Sequence, residues 1–168
     1  MLKIVLAYPR KLKSTSSAAL LGIPLGICTF AALAFLNWTL EFVAPPSAMA
    51  AEGIDTLAYI QIFFGGILLA PALETAIFQV MPLELIQLRG RSVPRLSLAI
   101  STLAFSAAHL FISLAHAEQM LFLGLMFGAI YLWVRRRSRK FAFFTTAIAH
   151  MTHNLVALIL LLFFPQLA

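Results

Sequence analysis

Residues 65–87 read GGILLAPALETAIFQVMPLELIQ, an apolar stretch long enough to cross a bilayer that nevertheless carries Glu74 near its middle. A carboxylate at the centre of a membrane helix costs roughly 2.5–3.5 kcal/mol on insertion scales. It is tolerated when it is protonated, paired or facing a polar cavity, so Glu74 is a candidate functional residue. The simpler alternative is a protonated Glu74 that hydrogen-bonds between helices and serves packing alone.

The composition places this stretch in a membrane protein. Of the 168 residues, 62% are hydrophobic and 11% are charged, more apolar surface than a soluble domain of this size needs. Continuous rather than alternating apolar segments exclude a membrane β-barrel. We therefore predict an all-α polytopic membrane helical bundle, with residues 1–168 forming one integral membrane domain in the lipid bilayer.

Five transmembrane helices are predicted from the apolar runs, after a basic head at residues 1–17. The runs cover residues 18–43, 57–88, 96 to about 113, 118–134 and 141–164. Pro71 and Pro82 fall inside the second run and predict irregularities there.

A cleaved signal peptide is the alternative interpretation of the first run, because Ala48, Met49 and Ala50 resemble a signal-peptidase site before Ala51. The apolar run is longer than the 7–15 residues typical of a signal peptide, and the site lies well beyond its end. We therefore retain the run as a transmembrane helix.

The basic residues predict the orientation. All twelve Lys and Arg fall in the head, in residues 89–95 and in residues 135–140, which are alternate connections and hence on one side. The positive-inside rule then places the N-terminus in the cytoplasm, and we expect the plasma (inner) membrane. The net charge of +6 is thus a topology signal, and no nucleic-acid partner is expected.

Four polar residues from three predicted helices should lie at one depth. Glu74, His109, His150 and Asn154 are each ten to fourteen residues from the basic end of their helix, or about 15–21 Å. His150 and Asn154 are also four residues apart and share a helix face. Each histidine alone could be a hydrogen-bonded core residue, and Asn154 could simply join helices. The shared depth favours a site.

Three segments in chain order also resemble a known family: APALETAIFQ at 70–79, FSAAHL at 105–110 and AHMTHNLVAL at 149–158. They are similar to the motifs of the CPBP intramembrane endopeptidases, the CAAX-protease and bacteriocin-processing enzymes that include type II CAAX prenyl endopeptidases. The resemblance covers roughly residues 60–164. It implies a protease-like core there.

The first motif departs from the family pattern, which usually has a second Glu after the first and an Arg four residues later. Thr75 and Gln79 stand at these two positions, so a neutral pair replaces an ion pair. This departure leaves open the alternative of a catalytically inactive relative that acts as a membrane scaffold or immunity protein. A proton-coupled carrier using Glu74 is a further alternative, although we find no internal repeat.

The resemblance implies an endopeptidase of the glutamic type, with Glu74, His109, His150 and Asn154 as catalytic residues. Glu74 and His109 would activate water, while His150 and Asn154 would stabilise the oxyanion. Thr75, Gln79 and Phe105 would support them. The implied substrate is a membrane-embedded or membrane-anchored peptide.

A zinc site is the alternative use of the same Glu and His residues. Asn154 is a poor fourth ligand, and the chain contains no HExxH motif. No metal and no cofactor are therefore expected.

Overall fold

The computed structural model describes residues 15–40, 60–88 and 94–163. All regular secondary structure in the described part is helical. Its five helices are α1 (Thr15–Leu40), α2 (residues 60–88), α3 (Pro94–Ala107), α4 (Leu114–Arg135) and α5 (Arg139–Phe163). Most of the basic head, the candidate cleavage site and the connection at 89–93 lie outside the described residues.

Within the described ranges, four helices are long and apolar enough to cross a membrane, namely Ser16–Asn37, Phe63–Ile86, Leu114–Arg135 and Arg139–Leu160. The predicted class, an all-α polytopic membrane bundle, is therefore confirmed. The third predicted transmembrane run differs: α3 has 14 residues, about 21 Å of helix, which is less than the roughly 20 residues that a span needs.

α3 ends early because His109 caps it. The imidazole Nδ1 lies 2.7 Å from the carbonyl oxygen of Phe105, the acceptor that the His109 N–H would use in a continuing helix. That N–H donates instead to Ser106 O at 2.9 Å, and the chain continues in tight turns over residues 108–112. A histidine side chain bonding a last carbonyl is a common way to end a helix.

α2 is irregular on both sides of Glu74. It is wound as π-helix over Ile62–Leu69 and again over Thr75–Val80, with α-helix over Ala70–Glu74 and Met81–Leu88. Ala70 donates its N–H to Gly65 O, five residues earlier, and Met81 likewise donates to Ala76 O. Each wide turn ends just before one of the two prolines expected to disturb the helix, because a proline has no N–H to continue the α-helical ladder.

α1 packs closely on α5 through two glycines four residues apart. A Cβ at Gly26 would lie 2.4 Å from Ala149 O and 2.6 Å from Thr152 Cβ, and one at Gly22 would lie 2.8 Å from Ile148 Cβ. Only glycine admits this contact, which is the small-residue packing typical of membrane helices. α1 thereby supports the helix that carries His150.

α3 and α4 pack antiparallel through a second pair of glycines. Gly124 of α4 faces Phe105, and Gly128 faces Leu98 and Gln79. α4 is the most buried of the spanning helices, and its Phe127 and Tyr131 are fully enclosed between the other helices.

An ion-pair cluster joins α2, α4 and α5 at the end of the bundle that carries the arginines, the basic end. Glu84 pairs with Arg135, and its Oε2 is also 2.9 Å from Arg139 Nε. Tyr131 donates its hydroxyl to Glu84 Oε1 at 2.8 Å. The second acid of α2 is thus fully partnered.

We predict that Gly26→Leu destabilises the protein by about 1–3 kcal/mol, because the new side chain must displace Ala149 and Thr152 backbone and side-chain atoms. The matched control is Gly65→Leu, where a Cβ meets no atom within 4 Å. Thermal unfolding in detergent measures both variants. Equal unfolding temperatures for the two would contradict close packing of α1 on α5.

Candidate active site

Glu74 and His150 meet inside the bundle, as their common depth predicts. The distance from His150 Nε2 to Glu74 Oε2 is 3.6 Å, and the side chains are 5% and 26% exposed, respectively. This separation is longer than a hydrogen bond, so the contact is electrostatic. The carboxylate therefore remains available for a further partner, such as a water molecule.

His109 lies beside this pair, although it sits in the turns after α3 rather than within a helix. The rings of His109 and His150 both lie against the ring of Phe105. Because the Phe105 carbonyl can only accept, Nδ1 of His109 carries the hydrogen in that bond. In the neutral ring, Nε2 is then a lone-pair acceptor.

Two buried phenylalanines hold the imidazoles in place. The ring of Phe105 lies 4.8 Å from that of His109 and 5.8 Å from that of His150, measured between centroids. Phe127 lies 4.4 Å from the His150 ring on its other side. Phe105 was expected to support the site from the motif. Phe127 was missed, because its role depends on the contact between α4 and α5.

Asn154 is bound to α2 one helical turn beyond His150. Its Nδ2 donates to the carbonyl oxygen of Gly66 at 3.1 Å. Since a carbonyl cannot donate, the amide nitrogen faces Gly66, and one of its two hydrogens remains for another acceptor.

Thr75 and Gln79 are both fully buried, yet they do not bond to each other. Gln79 Oε1 lies 2.7 Å from Ser101 Oγ, and Thr75 Oγ1 has no hydrogen-bond partner among the described residues. The neutral pair therefore faces α3 and α4 instead of adding a charged group to the site. Whether it supports catalysis stays a prediction.

Two further histidines surround the site. The ring of His116 lies 5.4 Å from that of His109, since the short turn between α3 and α4 brings them together. His153 is buried against α1, with Nδ1 3.3 Å from Thr29 Oγ1. Thr29 donates its own hydrogen to Gly26 O, so the ring nitrogen is the donor to Thr29.

A zinc site was the alternative use of the Glu and His residues, and the absence of a metal stays a prediction. Within residues 15–40, 60–88 and 94–163, no group of three or more His, Cys, Asp or Glu side chains is arranged to hold a metal ion. The chemistry that these residues offer is that of one carboxylate and two imidazoles.

Comparison with known proteins identifies the family of the chain. A family model described as type II CAAX prenyl endopeptidase Rce1-like matches residues 56–156, more than half of the chain. No curated protein and no solved structure matches. The matched segment contains α2 to α4 and the part of α5 that bears His150 and Asn154, but not α1. The resemblance seen in the three motifs is thus confirmed, and the chain belongs to the Rce1-like family of type II CAAX prenyl endopeptidases.

Proposed function

We propose that the protein is an intramembrane endopeptidase that hydrolyses a peptide bond of a membrane-embedded or membrane-anchored peptide with water activated by Glu74. The observation that carries the proposal is the 3.6 Å contact between Glu74 and His150, with His109 beside it, between helices able to cross a membrane. An acidic side chain inside a membrane bundle is energetically costly, so it is expected to have a functional or a structural role. Membership of a protease family supports the functional one.

Each side chain has a distinct part in the proposed reaction. Glu74 accepts one proton from water, while Nε2 of His109 accepts a hydrogen bond from the hydrogen that stays on the oxygen and so orients that oxygen toward the scissile carbonyl. His150 donates its Nε2–H to the oxyanion of the tetrahedral intermediate. Glu74 then passes its proton to the leaving amine as the carbon–nitrogen bond breaks. No covalent intermediate with the enzyme is needed.

Asn154 is the second proposed donor to the oxyanion. One of its amide hydrogens is bound to Gly66 O, so the other would serve the substrate. Its position one turn from His150 on the same helix face supports this role.

The placement of the site also suggests the substrate and its surroundings. A peptide must reach the level of Glu74, so it has to be held in or on the bilayer. The one-sided distribution of Lys and Arg supports an N-terminus in the cytoplasm and residence in the plasma (inner) membrane.

The second candidate function is an inactive relative that serves as a membrane scaffold or immunity protein. Buried, uncharged Thr75 and Gln79 at the positions of a usual family ion pair favour it. The two candidates differ in one measurable property, which is peptide cleavage dependent on Glu74.

We predict that Glu74→Gln lowers cleavage by about 10²–10⁴-fold and leaves thermal unfolding nearly unchanged, because it keeps the shape of the side chain and removes the base. The assay follows a farnesylated peptide ending in a CAAX sequence, and the same peptide without the lipid, in proteoliposomes by mass spectrometry. The matched control is Glu118→Gln, near the start of α4. This variant should cleave the peptide at the wild-type rate.

Two outcomes would count against the endopeptidase. An active Glu74→Gln protein would remove Glu74 as the base. Folded wild-type protein that cleaves neither peptide would favour the scaffold instead.

A second prediction concerns metal dependence. Because no three His, Cys, Asp or Glu side chains of the described residues are grouped as metal ligands, we expect cleavage to be unchanged after dialysis against EDTA. The same proteoliposome assay measures this, with buffer-dialysed protein as the control. Loss of activity that added Zn²⁺ restores would reverse the glutamic assignment.

A further inference from the structure

The π-helical turn that precedes Glu74 leaves one backbone carbonyl, that of Gly66, without a hydrogen-bond donor in its own helix. In a helix, the oxygen of Gly66 can be bonded by the N–H four residues later or, in a π turn, five residues later. The residue four later, Ala70, donates to Gly65 O instead. The residue five later is Pro71, which has no N–H. Neither helical donor therefore serves Gly66.

Asn154 of α5 supplies the missing donor. Its Nδ2 lies 3.1 Å from Gly66 O, and this is a bond between different helices, 88 residues apart in sequence. In a membrane interior an unpaired carbonyl costs several kcal/mol, so breaking this hydrogen bond is unfavourable by a similar amount. It also fixes the amide, because only the nitrogen can face a carbonyl.

The second proline of α2 has a related arrangement, with the proline four rather than five residues after the carbonyl. Pro82 removes the α-helical donor of the Phe78 carbonyl. Ser101 Oγ of α3 lies 2.6 Å from that oxygen and shares its one hydrogen between it and Gln79 Oε1. The two cross-helix bonds lie on either side of Glu74. Side chains of neighbouring helices thus complete the backbone of α2 in both directions from the base.

We propose that Pro71 and the Gly66 carbonyl are positioning residues of the site, which orient the Asn154 amide so that its second hydrogen faces the reacting carbonyl oxygen. Pro71 acts by withholding a donor, and Gly66 acts by presenting a carbonyl that Asn154 must satisfy. This role rests on the proposed peptidase function. Neither residue touches the substrate in this assignment.

The test substitution is Pro71→Ala, which returns an N–H to the helix. Gly66 O then gains a donor within α2, either from Ala70 in α-helical turns or from residue 71 in π-helical turns. The helix should be no less stable, because alanine is the better helix former. The Asn154 amide is then no longer required as the donor to Gly66 O. The matched control is Pro24→Ala in α1, outside the residues that match the family.

The orientation of the Asn154 side-chain amide can be measured by NMR without any substrate. The chain has two asparagines, Asn37 and Asn154, so [¹⁵N]Asn labelling gives two side-chain amide groups in an NMR spectrum. We expect Pro71→Ala to shift the Asn154 amide and leave that of Asn37 in place, while Pro24→Ala moves neither. An Asn154 amide that does not shift in Pro71→Ala would overturn the proposal.

Cleavage of the farnesylated CAAX peptide gives the second readout. We expect Pro71→Ala to lower kcat by about 10- to 100-fold with KM nearly constant, as for a misplaced catalytic group. Asn154→Leu should lower kcat by about 10²–10³-fold, and adding Pro71→Ala to it should cause no further loss. Full additivity of the two losses would show that Pro71 acts elsewhere.

The two readouts separate this proposal from the function on which it rests. A wild-type protein that cleaves no peptide would contradict the peptidase, whereas the NMR shift would still decide the orientation. Should Pro71→Ala fail to fold, Asn154→Leu tests the same bond through stability, since it leaves Gly66 O unpaired. Unchanged thermal unfolding of Asn154→Leu would then overturn the proposal.

Discussion

A bilayer interior provides no water to satisfy a backbone carbonyl, and α2 has to meet this constraint at two prolines. Wide turns precede both of them, and side chains from two other helices donate to carbonyls near each break. Asn154 of α5 donates to Gly66 O, and Ser101 of α3 donates to Phe78 O. These bonds fix the helices that carry the histidines relative to the segment that carries Glu74. The geometry of the site follows from them, because both imidazoles depend on α3 and α5.

The two glutamates of α2, Glu74 and Glu84, differ in the partners that the surrounding helices supply. Glu84 lies at the basic end and is bonded by Arg135, Arg139 and Tyr131, so it joins helices. Within the described part of the chain, Glu74 has the longer contact with His150, at 3.6 Å. An acid that is saturated with donors holds a structure together, whereas one with a vacant lone pair can take up a proton. This difference in partners supports Glu74 as the base.

Hydropathy and charge were sufficient to predict four membrane-spanning helices among the described residues, since burial in lipid requires long apolar runs, whereas the third predicted span forms α3, which is too short to cross. Counting residues from the basic ends also predicted that Glu74 and His150 meet, because helical rise is nearly constant. The early end of α3 was not predictable in this way, since it depends on a side-chain bond of His109. The π-helical turns depend on donors from distant helices. Gly22 and Gly26 did carry a readable signal, the four-residue spacing of small residues.

The hydrogen bond between Asn154 and Gly66 is the link on which this account depends most. Its direct test is solid-state NMR in bilayers, on protein with ¹⁵N in the asparagine side chains and ¹³C in the glycine carbonyls. We expect a weak but measurable dipolar coupling from one pair at an N–C distance of about 4 Å, and its loss in Asn154→Leu. Folded wild-type protein whose signal equals that of Asn154→Leu would contradict this account.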